Sequence, residues 1–368
     1  MAYEECSISG GYYLNFPIHT ELKKVRHICS QNRLDGMKHI LPHMEHADDN
    51  IVPSSVIVSA TANGLDIKGY EPSSEESYNE ATIELVINDE NSDSPPGLNI
   101  NGWDLSTKPE ILIFIHGYNI PLDWSMKKLG QLVAAGKFPP KIKPFVFSWP
   151  TGKIFYYFQS VKVAKSDDTM KSFYQFLRSI QEAGVSDIHI ITHSMGIKLF
   201  MQAINTSYIH ELFSKKGQRD SSNKLSIITA TFTNADYSVK EFRNNDYSIL
   251  HSMCDHISFY VDKFDNALKW SQLFTNTLLI GRIYVPLYSD STATELLDVD
   301  VMDTSGLQDN MHSVRHSAFN VNRMMVEDLR DIIVSRRRAS DRQSRLVHKR
   351  GNLYCFMTTP AAVTGNIV

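Results

Sequence analysis

The sequence predicts an α/β fold in which a mostly parallel, doubly wound sheet carries helices on both faces. Five continuous apolar runs are typical of strands buried on both faces: Ile111–Ile115, Pro144–Trp149, Ile188–Thr192, Leu225–Phe232 and Ile257–Val261. Apolar residues at helical spacing follow at 173–180, 197–204 and 325–332. Strands that alternate with amphipathic helices form such a sheet, and its reactive groups gather on loops at the carboxyl ends of the strands.

Composition divides the chain into three parts. Residues 1–109 are poorly periodic and carry two short β-like runs, Val56–Thr61 and Thr82–Ile87, which predict an additional, partly β N-terminal region of unclear role. The α/β domain is predicted over residues 110–334. The tail of residues 335–368 opens with seven Lys or Arg among sixteen residues. With few apolar anchors, this pattern favours a basic, flexible extension.

Charge and cysteine content exclude several classes of protein. The 368 residues include 37 Lys or Arg against 41 Asp or Glu, a formal net charge of -4, so no specific nucleic-acid partner is expected. The four cysteines lack the spacing of a zinc ribbon or a disulfide scaffold. The first residues lack the pattern of a signal peptide, and no apolar run reaches the roughly 18 residues of a membrane span. A cytoplasmic location is therefore expected.

A candidate nucleophile follows the third predicted strand. Ser194 lies in Thr-His-Ser-Met-Gly, between a buried strand and a segment of helical period. This is the setting of the nucleophile elbow, a sharp turn that lifts a serine hydroxyl above the sheet. The turn brings strand and helix backbones together, so a small residue is needed two positions after the serine, and Gly196 meets this need. Thr192 stands where the commoner pattern has a second glycine.

A serine nucleophile needs a base, and the base needs an orienting acid. In this kind of sheet the chain order is Ser, then Asp or Glu, then His. Two acids follow later predicted strands, Asp236 and Asp265, and two histidines precede the last predicted helix, His312 and His316. Spacing alone leaves both choices open.

The loop after the first predicted strand, His-Gly-Tyr-Asn, provides an oxyanion hole. The tetrahedral intermediate would accept hydrogen bonds from the N–H of Met195 and from one N–H of this loop. Gly117 allows the backbone to approach the substrate, so Tyr118 is the predicted donor and Asn119 the second choice. His116 is interpreted as a structural residue of the loop, because it lies on the wrong strand for the triad order.

Four segments in order, IFIHGYN, VFSWPTG, ITHSMG and YVDKFDNALKWS, resemble a bacterial α/β-hydrolase family of uncharacterised function that is often labelled esterase/lipase-like. Its members carry HGYN, FxWPS, HSMG and DxAL motifs, and the resemblance covers residues 110–334. It implies the α/β-hydrolase fold. It also implies Asp265, in the DxAL segment, as the triad acid and His316 as the base, with Asp236 and His312 in reserve.

The triad and the resemblance together predict a serine hydrolase that cleaves carboxylic esters through an acyl-enzyme. The expected substrate is a small acyl ester or a lipid, and neither a metal nor an organic cofactor is expected. The segment around His39 and His43 is interpreted as a solvated polar stretch rather than a metal site. A phospholipase, thioesterase or peptidase would use the same triad, and a non-catalytic interaction module on this fold is a further alternative. A membrane surface is the candidate partner of the basic tail.

Overall fold

A computed structural model of the protein describes four strands within residues 24–86 and most of the chain from 104 to 357. In this second part it leaves out residues 121, 150–156, 219–223, 290–293, 308–315, 317–318 and 321. The statements below concern the described residues. The predicted interpretation of His39 and His43 falls outside them, as does His312.

Twelve strands form one sheet. They are β1 Lys24–Cys29, β2 Ser55–Thr61, β3 Gly64–Glu71, β4 Glu80–Val86, β5 Glu110–Ile115, β6 Ile142–Ser148, β7 Asp187–His193, β8 Ser226–Thr233, β9 Cys254–Val261, β10 Val299–Asp303, β11 Leu346–Arg350 and β12 Leu353–Phe356. All five predicted apolar strands are confirmed as β5 to β9. The two β-like runs of the N-terminal region are confirmed as β2 and β4, and β1 joins that region to the sheet beside β6.

The central part of the sheet is parallel. The strand order is β11-β12-β10-β9-β8-β7-β5-β6-β1-β4-β2-β3, and every neighbouring pair from β12 to β6 runs in the same direction. After β5 the chain first adds β6 on one side and then β7 on the other. Such a reversal of strand order opens a crevice above the carboxyl ends of the two strands that flank it, here β5 and β7.

Nine α-helical segments accompany the described strands. They are α1 Leu122–Gly136, α2 Tyr157–Ala164, α3 Asp167–Glu182, α4 Gly196–Asn205, α5 Ser207–His210, α6 Val239–Glu241, α7 Tyr247–Met253, α8 Asn266–Thr275 and α9 Arg323–Ile333. The three predicted helices are confirmed as α3, α4 and α9. Side-chain caps fix two of their starts, because Ser166 accepts from the N–H of Thr169 and Asn322 from that of Met325.

The hydrophobic core lies on the faces of the central strands. Every residue of β5 and β8 is buried, which is why their sequences read as continuous apolar or small-residue runs. Phe145 and Phe147 of β6 pack against Phe173 and Phe176 of α3, and the shortest ring separation is 4.7 Å. Within the described residues, no helix is both long and apolar enough to cross a membrane.

The structure corrects the prediction of a flexible tail for residues 335–357. This segment forms β11 and β12, and β12 adds to the sheet beside β10. Arg342 is fully buried and forms an ion pair with the equally buried Asp328 of α9. The prediction was wrong because a run of arginines is a solvated tail only when the fold provides no acids to receive them.

Further arginines of this segment reach the amino ends of the parallel strands. Arg336 forms an ion pair with Glu110 at the start of β5, at 3.0 Å. Arg338 binds Asp298 at 2.7 Å and Asp300 of β10 at 2.8 Å. The C-terminal segment is thereby fastened to the edge of the sheet opposite the carboxyl-end crevice.

Candidate active site

Ser194 occupies a strained turn between β7 and α4. Its φ angle is 52°, in the left-handed region that non-glycine residues rarely adopt. The turn is held from the neighbouring strand, because the Ser194 N–H donates to the Thr233 carbonyl at 3.0 Å and the Asp236 N–H donates to the Ser194 carbonyl at 3.2 Å. This is the backbone geometry of the predicted elbow.

Gly196 is the residue that lets this turn form. A Cβ atom at this position would lie 2.5 Å from the carbonyl oxygen of Ile115 and 2.8 Å from that of His116. The first turn of α4 therefore passes directly over the end of β5. Only glycine permits this approach, as the sequence predicts.

The loop after β5 closes on the same serine. A Cβ on Gly117 would lie 2.8 Å from the Cβ of Ser194 and 2.9 Å from the His193 carbonyl oxygen. Asn119 turns the chain away with a φ angle of 52°, and the Tyr118 ring packs edge-on against Tyr157 at 5.9 Å. The structure therefore brings the loop that carries Tyr118 and Asn119 next to the elbow.

His116 braces this loop. Its Nδ1 donates to the Gly117 carbonyl at 2.9 Å, and its Nε2 accepts from the Trp149 N–H at 3.1 Å. The Trp149 indole donates to the His116 carbonyl at 2.8 Å, and the two rings stack. Burial lowers the pKa of His116 to about 4, so the ring is neutral at pH 7. These contacts agree with a structural role.

The N-terminus of α4 points its amide groups at the elbow. Met195 caps this ten-residue helix without any side-chain hydrogen bond, and its side chain is buried. The positive end of the helix dipole therefore lies beside Ser194. An oxygen that develops negative charge there would be stabilised, which suits the predicted role of the Met195 N–H.

Asp265 and His316 meet above the carboxyl end of β9. Nδ1 of His316 donates to Oδ2 of Asp265 at 2.6 Å, and the carboxylate is fully buried. The same oxygen accepts from Asn234 at 2.7 Å, while Oδ1 accepts from the Leu268 N–H at 3.0 Å and so caps α8. Three donors thus fix the carboxylate. The hydrogen bond to Asp265 assigns the Nδ1–H tautomer of His316, which leaves Nε2 free to accept a proton.

His193 holds His316 next to the elbow. Its Nε2 donates to the His316 carbonyl at 2.6 Å, and the centroids of the two rings are 4.8 Å apart. Burial, followed by the proximity of His316, lowers the pKa of His193 well below its usual range, so this ring is neutral. Ser194 and His316 both belong to the described residues, and no hydrogen bond joins the serine hydroxyl to the His316 ring in this structure.

The reserve acid lies close to the elbow but is engaged elsewhere. Asp236 accepts from the Tyr157 hydroxyl and from the Ser271 hydroxyl, both at 2.7 Å, and it lies 3.6 Å from the Lys198 ammonium. Burial and the Asp236 carboxylate raise the pKa of Tyr157. Asp236 therefore ties α2, α4 and α8 together beside the site, and no hydrogen bond or ion pair joins its carboxylate to the His316 ring.

Sequence reasoning missed His193 and Asn234. His193 is adjacent to the predicted nucleophile, but its partner lies 123 positions away. Asn234 is the first residue after β8, at the carboxyl end of a parallel strand. Functional side chains gather at such positions, so this position could have indicated its role. Within the described residues, no three His, Cys, Asp or Glu side chains are grouped as metal ligands.

Comparison with protein families now decides the identity of the chain. A family described as alpha/beta hydrolase of unknown function (DUF900) matches residues 101–337. The chain belongs to this family. The predicted resemblance and the α/β-hydrolase fold are therefore confirmed, and the protein is an α/β hydrolase. No curated protein matches the chain.

The matched region contains every described residue of the candidate site, from the loop after β5 to His316. It ends within the arginine run at Arg337, so β11 and β12 lie beyond it. The four N-terminal strands lie before it.

Proposed function

We propose that this α/β hydrolase cleaves carboxylic esters, with Ser194 as nucleophile, His316 as general base and acid, and Asp265 orienting the imidazole. The observation that carries the proposal is the 2.6 Å hydrogen bond between Asp265 and His316. It joins two residues 51 positions apart, next to a serine in the backbone conformation of a nucleophile elbow.

The proposed reaction has two halves. Ser194 Oγ attacks the acyl carbon while its proton passes to Nε2 of His316, and the Nδ1–H bond to Asp265 stabilises the imidazolium. The imidazolium then protonates the leaving alkoxide, which gives a free alcohol and an acyl-serine. Water attacks this acyl-enzyme with His316 as base, and the carboxylic acid leaves as Ser194 recovers its proton. Groups of the chain itself perform each proton transfer.

The oxyanion of each tetrahedral intermediate would accept hydrogen bonds from the N–H groups of Met195 and Tyr118. The uncapped start of α4 supports the first assignment, and the close approach that Gly117 permits supports the second. Asn119 is the alternative donor of the same loop. Such preorganised donors provide the electrostatic part of catalysis, which is worth about 3–4 kcal/mol for a single donor.

The decisive experiment compares Ser194→Ala with the wild type on a short acyl ester. We expect turnover to fall by about 10⁴–10⁶-fold while the variant remains folded. Ser207→Ala provides the control, because Ser207 is an exposed serine at the start of α5. Wild-type turnover by folded Ser194→Ala would contradict the proposal.

The chemistry of the leaving group is tested on the same pair of proteins. A phospholipase, thioesterase or peptidase would use these residues in the same way, so matched oxygen ester, thioester and amide substrates separate them. We expect the oxygen ester to give the highest kcat/KM. A non-catalytic module of this fold would cleave none of the three.

A further inference from the structure

Helix α8 exposes an unusual amount of apolar surface. Trp270, Leu273 and Phe274 lie at i, i+3 and i+4, on one face, and are 61%, 65% and 63% exposed. Trp270 and Phe274 stack at 6.3 Å. We call these three side chains the α8 surface. Surface helices normally turn such an apolar stripe toward the core, and here it faces the solvent.

The buried side of α8 is occupied by the candidate site. Asp265 caps the helix, Leu268 and Ser271 are buried, and the Ser271 hydroxyl lies 2.9 Å from that of Tyr157. The α8 surface is therefore on the outside of the helix that starts at the proposed triad acid. A partner that binds this surface would therefore lie next to the candidate site.

The exposed charges of the chain segment that contains α8 have one sign. In residues 262–289 the acidic side chains, Asp262 and Asp265, are both buried. The basic ones reach the surface: Lys263 and Lys269 are exposed, and Arg282 is partly exposed. Arg282 also donates to the Gln272 side chain of α8 and to the Lys263 carbonyl, so it belongs to the same surface.

Aromatic and aliphatic side chains surrounded by cations fit the boundary of an anionic lipid layer. Trp and Phe insert among acyl chains near the headgroups, and lysines bind the anionic headgroups, so both parts of this surface gain from one partner. We propose that the α8 surface docks the protein on anionic lipid surfaces. This inference rests on the proposed function where it implies that the ester substrates are lipids presented at that surface.

The membrane contact is thus assigned to a different place from the basic tail. Arg336, Arg338 and Arg342 form ion pairs with acids of the sheet and of α9. A headgroup would have to compete with those acids. Lys263 instead lies with its ammonium 4.7 Å from the centre of the neighbouring Phe264 ring, which keeps cation and aromatic together at the surface.

The test is flotation of the whole protein with vesicles that contain phosphatidylglycerol, compared with vesicles of phosphatidylcholine alone. We expect the wild type to bind the anionic vesicles. The triple variant Trp270→Ser, Leu273→Ser, Phe274→Ser should bind about tenfold less or weaker still. Lys263→Gln and Lys269→Gln should each weaken binding by about fivefold.

The control variant carries Leu105→Ser and Leu297→Ser. These leucines are 56% and 68% exposed, similar to the α8 surface, and they precede β5 and β10 at the opposite edge of the sheet. We expect the control to float like the wild type. Wild-type protein that stays unbound, or a triple variant that floats equally well, overturns the proposal.

Two further measurements separate the alternatives. The first is light scattering. If the wild type is a dimer that the triple variant dissociates, and neither binds vesicles, the α8 surface belongs to a second copy of the chain and the proposal is overturned.

The second is flotation of Ser194→Ala, because binding does not need turnover. Vesicle binding without ester cleavage by the wild type defeats the proposed function alone, whereas cleavage without vesicle binding defeats this inference alone. If the triple variant fails to fold, Trp270→Ala replaces it.

Discussion

At the scale of single residues, the two acids of the candidate site already accept hydrogen bonds from defined partners. Asp265 accepts three hydrogen bonds, from Asn234, Leu268 and His316, and is thus fixed as an acceptor toward the imidazole. Asp236 receives the hydroxyls of Tyr157 and Ser271. Two acids that were equivalent by spacing therefore differ in what they contact.

This difference predicts unequal effects of two matched substitutions. Asp265→Asn places an amide opposite Nδ1 of His316, which favours the wrong tautomer, so kcat should fall by about 10⁴-fold. Asp236→Asn should reduce kcat by about tenfold or less, because only a supporting hydrogen-bond network is changed. Ester kinetics on both variants, with circular dichroism to verify folding, checks this. A larger loss from Asp236→Asn than from Asp265→Asn would reverse the assignment.

The buried neutral His116 predicts how stability depends on pH. Its pKa is about 4 in the fold and near 6.5 in the unfolded chain, so the unfolded chain binds the proton more readily. The stability linked to this group is present above pH 6.5 and is lost as the pH falls toward 4, by roughly 3 kcal/mol. Urea unfolding from pH 7 to 4 measures this loss together with that of the other buried histidines whose pKa is lowered, His189, His193 and His256.

The variant His116→Gln isolates that contribution. Between pH 6.5 and 4 its unfolding free energy should depend less steeply on pH than that of the wild type. The reason is that unfolding of the variant takes up about one proton fewer. Glu110 changes the stability in a lower pH range. Hydrogen bonds from His189 and Lys141 outweigh burial and lower the pKa of its carboxyl from 4.5 to about 2, so its contribution to stability is lost only below pH 4.5. The upper half of the window is therefore free of its effect. Identical slopes for wild type and His116→Gln would refute the assignment.

At the scale of elements, the site is assembled by three loops that follow β5, β7 and β9. The reversal of strand order puts the ends of β5 and β7 side by side. Gly117 and Gly196 then permit contacts that a Cβ atom would block. The Asp265 loop follows β9, which lies two strands away from β7 in the sheet. His316 connects the two places, because its ring is hydrogen-bonded to Asp265 and its carbonyl to His193, the residue before Ser194.

Gly117→Ala tests the contact between two of these loops. The added Cβ would lie 2.8 Å from the Ser194 Cβ, so the loop and the elbow must separate. We expect kcat to fall by about 10²-fold, the effect of a displacement near 1 Å. Gly184→Ala is the control, because its φ is 79° but no atom lies within 4 Å of the added Cβ. That variant should lose stability, measured by thermal unfolding, and keep its kcat. Wild-type kcat in Gly117→Ala would refute the contact.

The elements that sequence predicted are those whose pattern reflects burial. The strands β5 to β9 are buried on both faces, and α3, α4 and α9 place an apolar stripe on the core, so composition reveals them. Helix α8 was missed because its large apolar side chains point to solvent and its buried side includes Ser271. The elbow motif pointed to Ser194 as the candidate nucleophile, and the family resemblance implied Asp265 and His316. His193 gave no such signal, because its contact with His316 exists only in the folded chain.

At the scale of the whole molecule, the candidate site and the ion pairs of Arg336 and Arg338 lie at opposite ends of the parallel strands. The candidate site is at the carboxyl ends of the parallel strands. The acids that hold the C-terminal segment, among them Glu110, Asp298 and Asp300, are at the amino ends. The sequence did not predict that this segment is ordered, because the partner of Arg336 lies 226 positions away in the chain.

The buried pair of Arg342 and Asp328 predicts that the C-terminal segment stabilises the fold. Arg342→Met leaves the Asp328 carboxyl buried beside Tyr260 with only Arg345, whose Nε lies 3.6 Å away, as its cation, so the unfolding free energy should fall by about 3 kcal/mol, the lower end of the cost of breaking a buried pair. Lys349→Met, at an exposed position of β11, is the control and should change it by less than about 0.5 kcal/mol. Chemical denaturation compares them. Equal stability of both variants would show that the Arg342–Asp328 pair does not stabilise the fold.

The central claim is that Ser194 is an activated nucleophile. Its most direct test is labelling with a fluorophosphonate, followed by mass spectrometry of the labelled peptide. The account predicts a single adduct on Ser194, lost in His316→Ala as well as in Ser194→Ala. A folded wild-type protein without an adduct, or with the adduct on another residue, would contradict it.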